Sequence, residues 1–234
     1  MSPFDPNESK QLASRLNHDF GAPVRAIRGF GRFLKKRLEE GKKEEALEFA
    51  GLLETEAERL EGMLEGLVTY LRIPAQGQGD PTDGPRVDGN ACIQKTREKL
   101  RVVLGVELHA ETGPIPSLPG PASDWERVFY EIFSNSLKFK DKNRPLELRV
   151  LGFETPEGRR IEISDNGTGL PPGVGDRPFA LFSRLHDPDQ YPGYGIGLAV
   201  CARIAASHGA RLFFAESKDD WKSGVTLVIE FVGL

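Results

Sequence analysis

Residues 160–170 read Arg160-Ile-Glu-Ile-Ser-Asp165-Asn-Gly-Thr-Gly-Leu170. Polar and apolar residues alternate from Arg160 to Ser164, the period of a half-buried strand. The strand ends on an acid, and Gly167 and Gly169 follow at once. Glycine lacks a Cβ, so such a turn lets the backbone come close to a ligand, with a carboxylate beside it. The same residues also suit a tight structural turn.

Outward from that segment the pattern stays layered. Leu146–Glu154 alternates as well, and Glu157-Gly158 supplies the turn of a hairpin. Arg211–Glu216 and Gly224–Val232 read as further strands, and Val106–Ala110 as a short one. Asp88–Leu104, Ala122–Lys140 and Ile196–His208 carry the helical period, the last opened by glycines and closed by Gly209. This predicts an α+β fold with helices on one face of a mixed or mostly antiparallel sheet. Between Asn166 and Gly195 little periodicity remains, and a long irregular stretch inside a domain is a functional lid or binding loop.

The N-terminal third is different. Leu12, Leu16, Phe20, Val24, Ile27, Phe30, Leu34 and Leu38 mark one helix, which Gly41 stops. Leu47, Ala50, Leu53, Ala57, Leu60, Leu64, Leu67 and Leu71 mark a second as a heptad seam, ended by Pro74. An antiparallel pair of amphipathic helices cannot enclose its own stripes, so a second copy is expected to complete a dimeric four-helix bundle. Residues 74–85 are rich in Pro, Gly and Asp and read as a linker. The expected domains are therefore 1–73, a helical hairpin, and 86–234, an α/β sandwich, joined by 74–85.

Composition narrows the function. The chain has 234 residues, 31 basic and 35 acidic, for a net charge of −4. Such a balance argues against a protein that grips nucleic acid. No apolar run approaches ~20 residues, so direct membrane insertion is not expected. Two distant cysteines, Cys92 and Cys201, form neither a disulfide framework nor a zinc motif. The polar N-terminus has no signal-peptide core, and the expected location is cytoplasmic.

Three more segments carry candidate chemistry. His18 lies between the seam positions Leu16 and Phe20 and so points away from the bundle core. Asp19 follows it, and Pro23 weakens the same turn by withholding an N–H from the Asp19 carbonyl. An exposed imidazole beside a carboxylate suits a nucleophile, and equally an ordinary surface histidine. Glu131, Asn135 and Lys138 fall at i, i+4 and i+7 on one helix face. A carboxylate, an amide and an ammonium there suit Mg²⁺ with phosphate, or a plain solvated face. Gly193-Tyr-Gly195-Ile-Gly197-Leu198 runs into a helix, whose first N–H groups suit an anion. It is neither a Walker A loop nor a Rossmann fingerprint.

In order, these segments resemble the catalytic core of a sensor histidine kinase, in its phytochrome-like branch. His18-Asp-Phe-Gly-Ala-Pro23 is similar to the H box of the dimerisation and phosphotransfer domain. Glu131 to Lys138 is similar to the N box, and Asp165-Asn-Gly-Thr-Gly169 to the G1 box. Phe179-Ala-Leu-Phe182 is similar to the F box, and Gly193-Tyr-Gly-Ile-Gly197 to the G2 box. The resemblance implies a Bergerat ATP-binding fold over residues 86–234.

It also implies roles. Asp165 would take the adenine amino group, within the turn of Gly167 and Gly169. Asn135, with Glu131, would hold Mg²⁺, and Lys138 would reach phosphate oxygens. Gly193, Gly195, Gly197 and Leu198 would line the triphosphate, with residues 170–192 as the ATP lid and Phe179 and Phe182 as its apolar anchor. His18 would take the γ-phosphoryl group from ATP, with Asp19 accepting its proton or fixing its tautomer. A response regulator receiver domain would then accept it on an aspartate. Two positions depart from the family pattern. Ala22 stands where many members carry Thr or Asn, which counts against phosphatase activity by that route. Glu131 stands where Asn is frequent, as in gyrase-like ATPases that activate water. A phosphotransfer relay module without ATP would tolerate eroded glycine segments, and these are intact. A related ATPase or serine kinase would not need His18 on a dimerising hairpin. No sensor domain is legible, so the signal is expected from a separate protein or from a longer chain of which this is a piece.

Overall fold

The computed structural model describes residues 6–75, 84–155, 158–185, 191, 193–216 and 223–232. The chain divides into two compact units, Met1–Arg72 and Ile73–Leu234.

The first unit is a hairpin of α1 (Pro6–Glu39) and α2 (Lys43–Arg72). Gly41, at φ +74°, turns the chain between them. Arg37 braces that turn, pairing with Glu40 at 2.7 Å and with Glu45 at 2.9 Å. Phe49 of α2 stacks on Phe33 of α1 at 5.3 Å and lies 6.3 Å from Phe30. Ala46 and Met63 are buried in the seam.

The heptad seam of α2 proves to be two stripes. Ala50, Leu53, Leu60 and Leu67 are half-buried, whereas Leu47, Ala57, Leu64 and Leu71 are exposed. α1 thus covers one edge of the seam and leaves the other edge to solvent. Within one hairpin, Leu64 keeps 48% and Leu71 43% of its surface in solvent. On α1, Val24, Phe33 and Leu38 are exposed too.

The second unit opens with a two-residue strand β1 (Arg86–Val87), then α3 (Gly89–Leu104). Asp88 caps α3, its carboxylate accepting from Asn90 N at 2.8 Å and Ala91 N at 3.3 Å. Gly105, at φ +65°, ends it. The short strand expected at Val106–Ala110 falls later: β2 is Ala110–Thr112 and runs parallel to β4. The carbonyl of Leu108 accepts from Arg97 Nε at 2.9 Å, a side-chain bond in place of a ladder. β3 (Leu118–Pro119) pairs with β1, and α4 (Ala122–Lys138) follows. β4 (Leu148–Thr155), β5 (Gly158–Asp165), α5 (Gly197–Ser207), β6 (Ala210–Ala215) and β7 (Val225–Val232) complete the unit, with a 3-10 turn at Arg177–Phe179.

The main sheet has the order β2-β4-β5-β7-β6, antiparallel except for the β2–β4 pair. Its register aligns apolar rows across the strands. Val150 faces Ile163, which faces Leu227; Ile161 faces Ile229, which faces Leu212. α4 packs between α3 and α5. Its Trp125, Val128, Phe129 and Phe133 are fully buried, and the Trp125 ring lies 5.6 Å from that of Phe231 on β7. Each such side chain removed from water contributes about 1.5–3 kcal/mol. This core fixes α4, which carries Glu131, Asn135 and Lys138, and the end of β5, which carries Asp165.

Candidate functional site

Asp165 is the last residue of β5, paired with Val225 and Leu148 on either side. Its side chain is buried among polar partners. Oδ1 accepts from Gly167 N at 2.9 Å, and Oδ2 accepts from Ser136 Oγ at 2.8 Å. Burial pushes its carboxyl up from the usual value, against the Gly167 and Ser136 hydrogen bonds, the Val225 amide and the nearby Arg144 charge. An ionised carboxylate so fixed keeps lone pairs for a further hydrogen-bond donor.

The turn after Asp165 leaves no room for a side chain at Gly167. A Cβ on Gly167 would lie 2.7 Å from Phe139 O. Gly169 sits at φ +79°, where an L side chain is strained. Asn166 locks the turn from below: Oδ1 accepts from Glu147 N at 2.9 Å, and Nδ2 donates to Pro145 O at 3.0 Å.

One helix face, on α4, brings Glu131, Asn135 and Lys138 together as the spacing predicts. Glu131 Oε1 pairs with Arg127 Nε at 2.8 Å. Its Oε2 lies 2.3 Å from where a Cβ of Gly197 would stand, so a side chain there would displace this carboxylate. Asn135 is half-buried, and among the described residues its amide takes no hydrogen-bond partner. Lys138 Nζ lies 4.8 Å above the Phe139 ring. Burial and the neighbouring Arg184 charge lower its pKa. An ammonium that is incompletely hydrated is ready to meet an anion.

The glycine segment approaches this face. A Cβ on Gly193 would lie 3.1 Å from Lys138 Nζ. Gly195, at φ +69°, passes Ser183 O so closely that a Cβ would sit at 2.5 Å. Gly197 opens α5 and Leu198 follows, half-buried; no side chain caps the helix, so its first N–H groups are available to an anion. Phe179 stacks on Phe214 of β6 at 5.0 Å, and Phe182 is buried at φ +60°. Phe139 and Tyr191 rings lie 4.9 Å apart. The remainder of the expected lid, residues 186–190 and 192, lies outside the described residues, as do 76–83 of the expected linker.

A divalent ion is tested by the donors present. Among the described residues no group of three or more His, Cys, Asp and Glu forms a cage. One carboxylate and one free amide on a single face fit Mg²⁺, which takes most of its ligands from water and phosphate.

His18 lies in the other unit. Its side chain is 85% exposed, and Nδ1 is 2.9 Å from Asp19 Oδ1. A proton on Nδ1, donated to that carboxylate, leaves the Nε2 lone pair directed to solvent.

Sequence reasoning missed several residues that build the site. Ser136, Arg144 and Ser223 reach the Asp165 turn only through tertiary packing. Asn166 was visible in the motif, but its side-chain bonds were not.

Together the fold and the site define an α+β nucleotide-binding domain joined to a helical hairpin. Residues 120–232 match the family of histidine kinase-, DNA gyrase B-, and HSP90-like ATPases. The chain is 26% identical over 205 residues to the phytochrome-like protein Cph1 of Synechocystis, covering 87% of this chain and 27% of that one. It is 32% identical over 127 residues to the adaptive-response sensory kinase SasA of Prochlorococcus marinus, covering 52% of this chain and 33% of that one. A structure of full-length ShkA in complex with AMPPNP shares the fold, with a TM-score of 0.57 at 19% identity over 95% of this chain and 45% of that one. These likenesses support a sensor histidine kinase catalytic core. No helix among the described residues is long and apolar enough to cross a membrane.

Proposed function

We propose that the chain is a two-component histidine kinase core that phosphorylates itself on His18 from ATP and passes the phosphoryl group to an aspartate of a response regulator receiver domain. The observation that carries this reading is the buried Asp165 carboxylate, fixed by Gly167 and Ser136. It stands beside a phosphate-ready α4 face and an uncapped α5 start.

Asp165 accepts the adenine amino group. Lys138 and the amides around Gly193, Gly195, Gly197 and Leu198 meet the phosphates. Asn135 and Glu131 hold Mg²⁺, which supplies charge neutralisation on the phosphate oxygens when bound. His18 attacks through Nε2, the Nδ1–Asp19 contact fixing its tautomer. Positioning and charge neutralisation carry most of phosphoryl transfer, so rigid placement of these groups is the protein's main contribution.

The hairpin, residues 1–73, is the dimerising unit, followed by a linker at 74–85 and the ATP-binding domain at 86–234. Support for a homodimeric four-helix bundle comes from the exposed stripe of Leu47, Leu64, Val68 and Leu71 on α2 with Val24 and Leu38 on α1. A stripe of this length is larger than a lone soluble hairpin usually shows to water.

Incubation of the purified protein with ATP labelled in its γ-phosphate tests the reading. The expected product is acid-labile, base-stable label on the chain, lost in His18→Ala and transferable to a receiver domain. A folded dimer that binds no ATP points instead to a relay module, and label on a serine of another protein to a serine kinase. Glu131, which stands where Asn is frequent in the family, leaves slow hydrolysis by water as a second activity, read as free phosphate formed by His18→Ala; its ion pair with Arg127 competes for the carboxylate lone pairs and keeps that rate low.

A further inference from the structure

Arg144 lies in the loop between α4 and β4, far in sequence from the parts it joins. Its Nη2 donates to Gly167 O at 3.1 Å, to Ser223 O at 3.4 Å and, most closely, to Ser223 Oγ. Ser223 Oγ in turn donates to Gly167 O at 3.1 Å. Asp141 Oδ2 stands 3.4 Å from Nε, which is buried without an aligned hydrogen bond. One guanidinium therefore ties the α4–β4 loop, the turn after Asp165 and the start of β7 into one clamp.

The clamp closes on Gly167, the residue whose N–H holds the Asp165 carboxylate. Gly167 N donates to Asp165 Oδ1, while Gly167 O receives Arg144 and Ser223. The two peptide groups that meet at residue 167 are therefore each held, one by the Asp165 carboxylate and the other by Arg144 and Ser223. From the other side, Gly224 at φ +135° presses so near that a Cβ would lie 1.9 Å from Asp165 O. Gly224 follows Ser223 directly, so whatever fixes Ser223 also fixes this contact.

We propose that Arg144 is a positioning residue for base recognition: by pinning Gly167 and Ser223 it holds Asp165 where it accepts an amino group and rejects a keto oxygen. The inference rests on the reading of Asp165 as the adenine acceptor. A site built around an acceptor excludes a ligand that presents another acceptor, because two lone pairs then face each other unpaired. A loosened turn lets the carboxylate move, and that exclusion weakens before the fold does. Arg144 touches no nucleotide in this scheme and acts through Gly167.

Calorimetric titration of the full chain with ATP and with GTP, both with Mg²⁺, tests the idea. Arg144→Met is expected to weaken ATP binding on the order of tenfold and to reduce the ATP-over-GTP preference with it. Arg144→Lys, which keeps a charge and a donor, is expected to restore part of the preference. Ser223→Ala removes half the clamp and is expected to show the same loss in smaller measure, so the proposal stays testable if Arg144→Met does not fold. A merely structural role predicts a lower melting temperature with the preference of the folded protein unchanged, and that outcome overturns the proposal. Asp165→Asn separates the two layers. If it leaves ATP affinity and preference intact, the base-reading role falls and the proposal with it. If it abolishes them while the clamp variants remain as wild type, only the role of Arg144 falls.

Discussion

The Ser136 hydroxyl donates to Asp165 Oδ2 over 2.8 Å, tying the last turns of α4 to the end of β5. Both residues are buried, so neither has water as a substitute partner. A hydrogen bond to a charged group of this kind is worth about 1.5–3 kcal/mol. Ser136→Ala is expected to lower unfolding free energy by about that amount and ATP affinity several-fold. Denaturant unfolding and nucleotide titration of the same preparation measure both, and wild-type values in each would show that the bond is incidental.

Asp165 also sets a pH dependence with opposite signs for stability and binding. Burial raises its carboxyl above the usual 3.8. Between that value and the raised one, the folded chain binds more protons than the unfolded chain, so this group's contribution to stability falls as pH rises through the window. The proposed base recognition needs the ionised form, so ATP affinity is expected to rise through the same window. Asp165→Asn is expected to flatten the stability profile there and to remove the rise in affinity. Melting curves and ATP titrations across the acid range check the crossing, and parallel slopes in wild type would refute it.

Lys138 gives the alkaline counterpart. Burial, with help from Arg184, lowers its pKa from 10.5. Within the window below 10.5 the unfolded chain holds the proton more tightly, so the Lys138 contribution to stability rises with pH. The ammonium proposed to meet phosphate is lost over the same window, so ATP affinity is expected to fall. Arg184→Ala is expected to move that loss to higher pH, and Lys138→Met to weaken ATP far more than adenosine. Comparing the two ligands at neutral and alkaline pH distinguishes a phosphate contact from general damage, which would weaken both equally.

Much of this architecture is written in local pattern, and the remainder depends on closure of the sheet. Alternation over Arg160–Ser164 and the acid and glycines after it place β5 and its turn, because strand period and glycine geometry are local properties. The Glu131, Asn135 and Lys138 face follows from helical spacing alone. Ser136 and Asp165 lie 29 positions apart, and Arg144 and Ser223 lie 79 apart. No local signal marks a serine or arginine as a partner for a distant turn. β1 and β3 have two residues each, too short for a period to register. The strand expected at Val106–Ala110 slid to Ala110–Thr112 because pairing with β4, not propensity, decides where an edge strand begins. The α2 repeat marks an apolar seam, but a repeat of seven does not say which of its edges α1 covers.

That repeat leads to the last expectation. Leu53, Leu60 and Leu67 face α1, while Ala57, Leu64 and Leu71 are left in solvent by the single hairpin. Val68 and Leu47 widen the outer stripe. Charge placed on it would burden the proposed intermolecular core without touching the packing inside one hairpin, where Phe33 and Phe49 stack. Leu64→Glu with Leu71→Glu is therefore expected to convert a dimer to a monomer in sedimentation while the helical circular dichroism persists. The wild-type melting temperature should rise with protein concentration, and the variant's should not. Leu53→Glu is the contrasting case: it attacks the seam within the hairpin and is expected to reduce helicity itself. A doubly charged outer stripe that still sediments as wild type would show that this face does not hold two chains together.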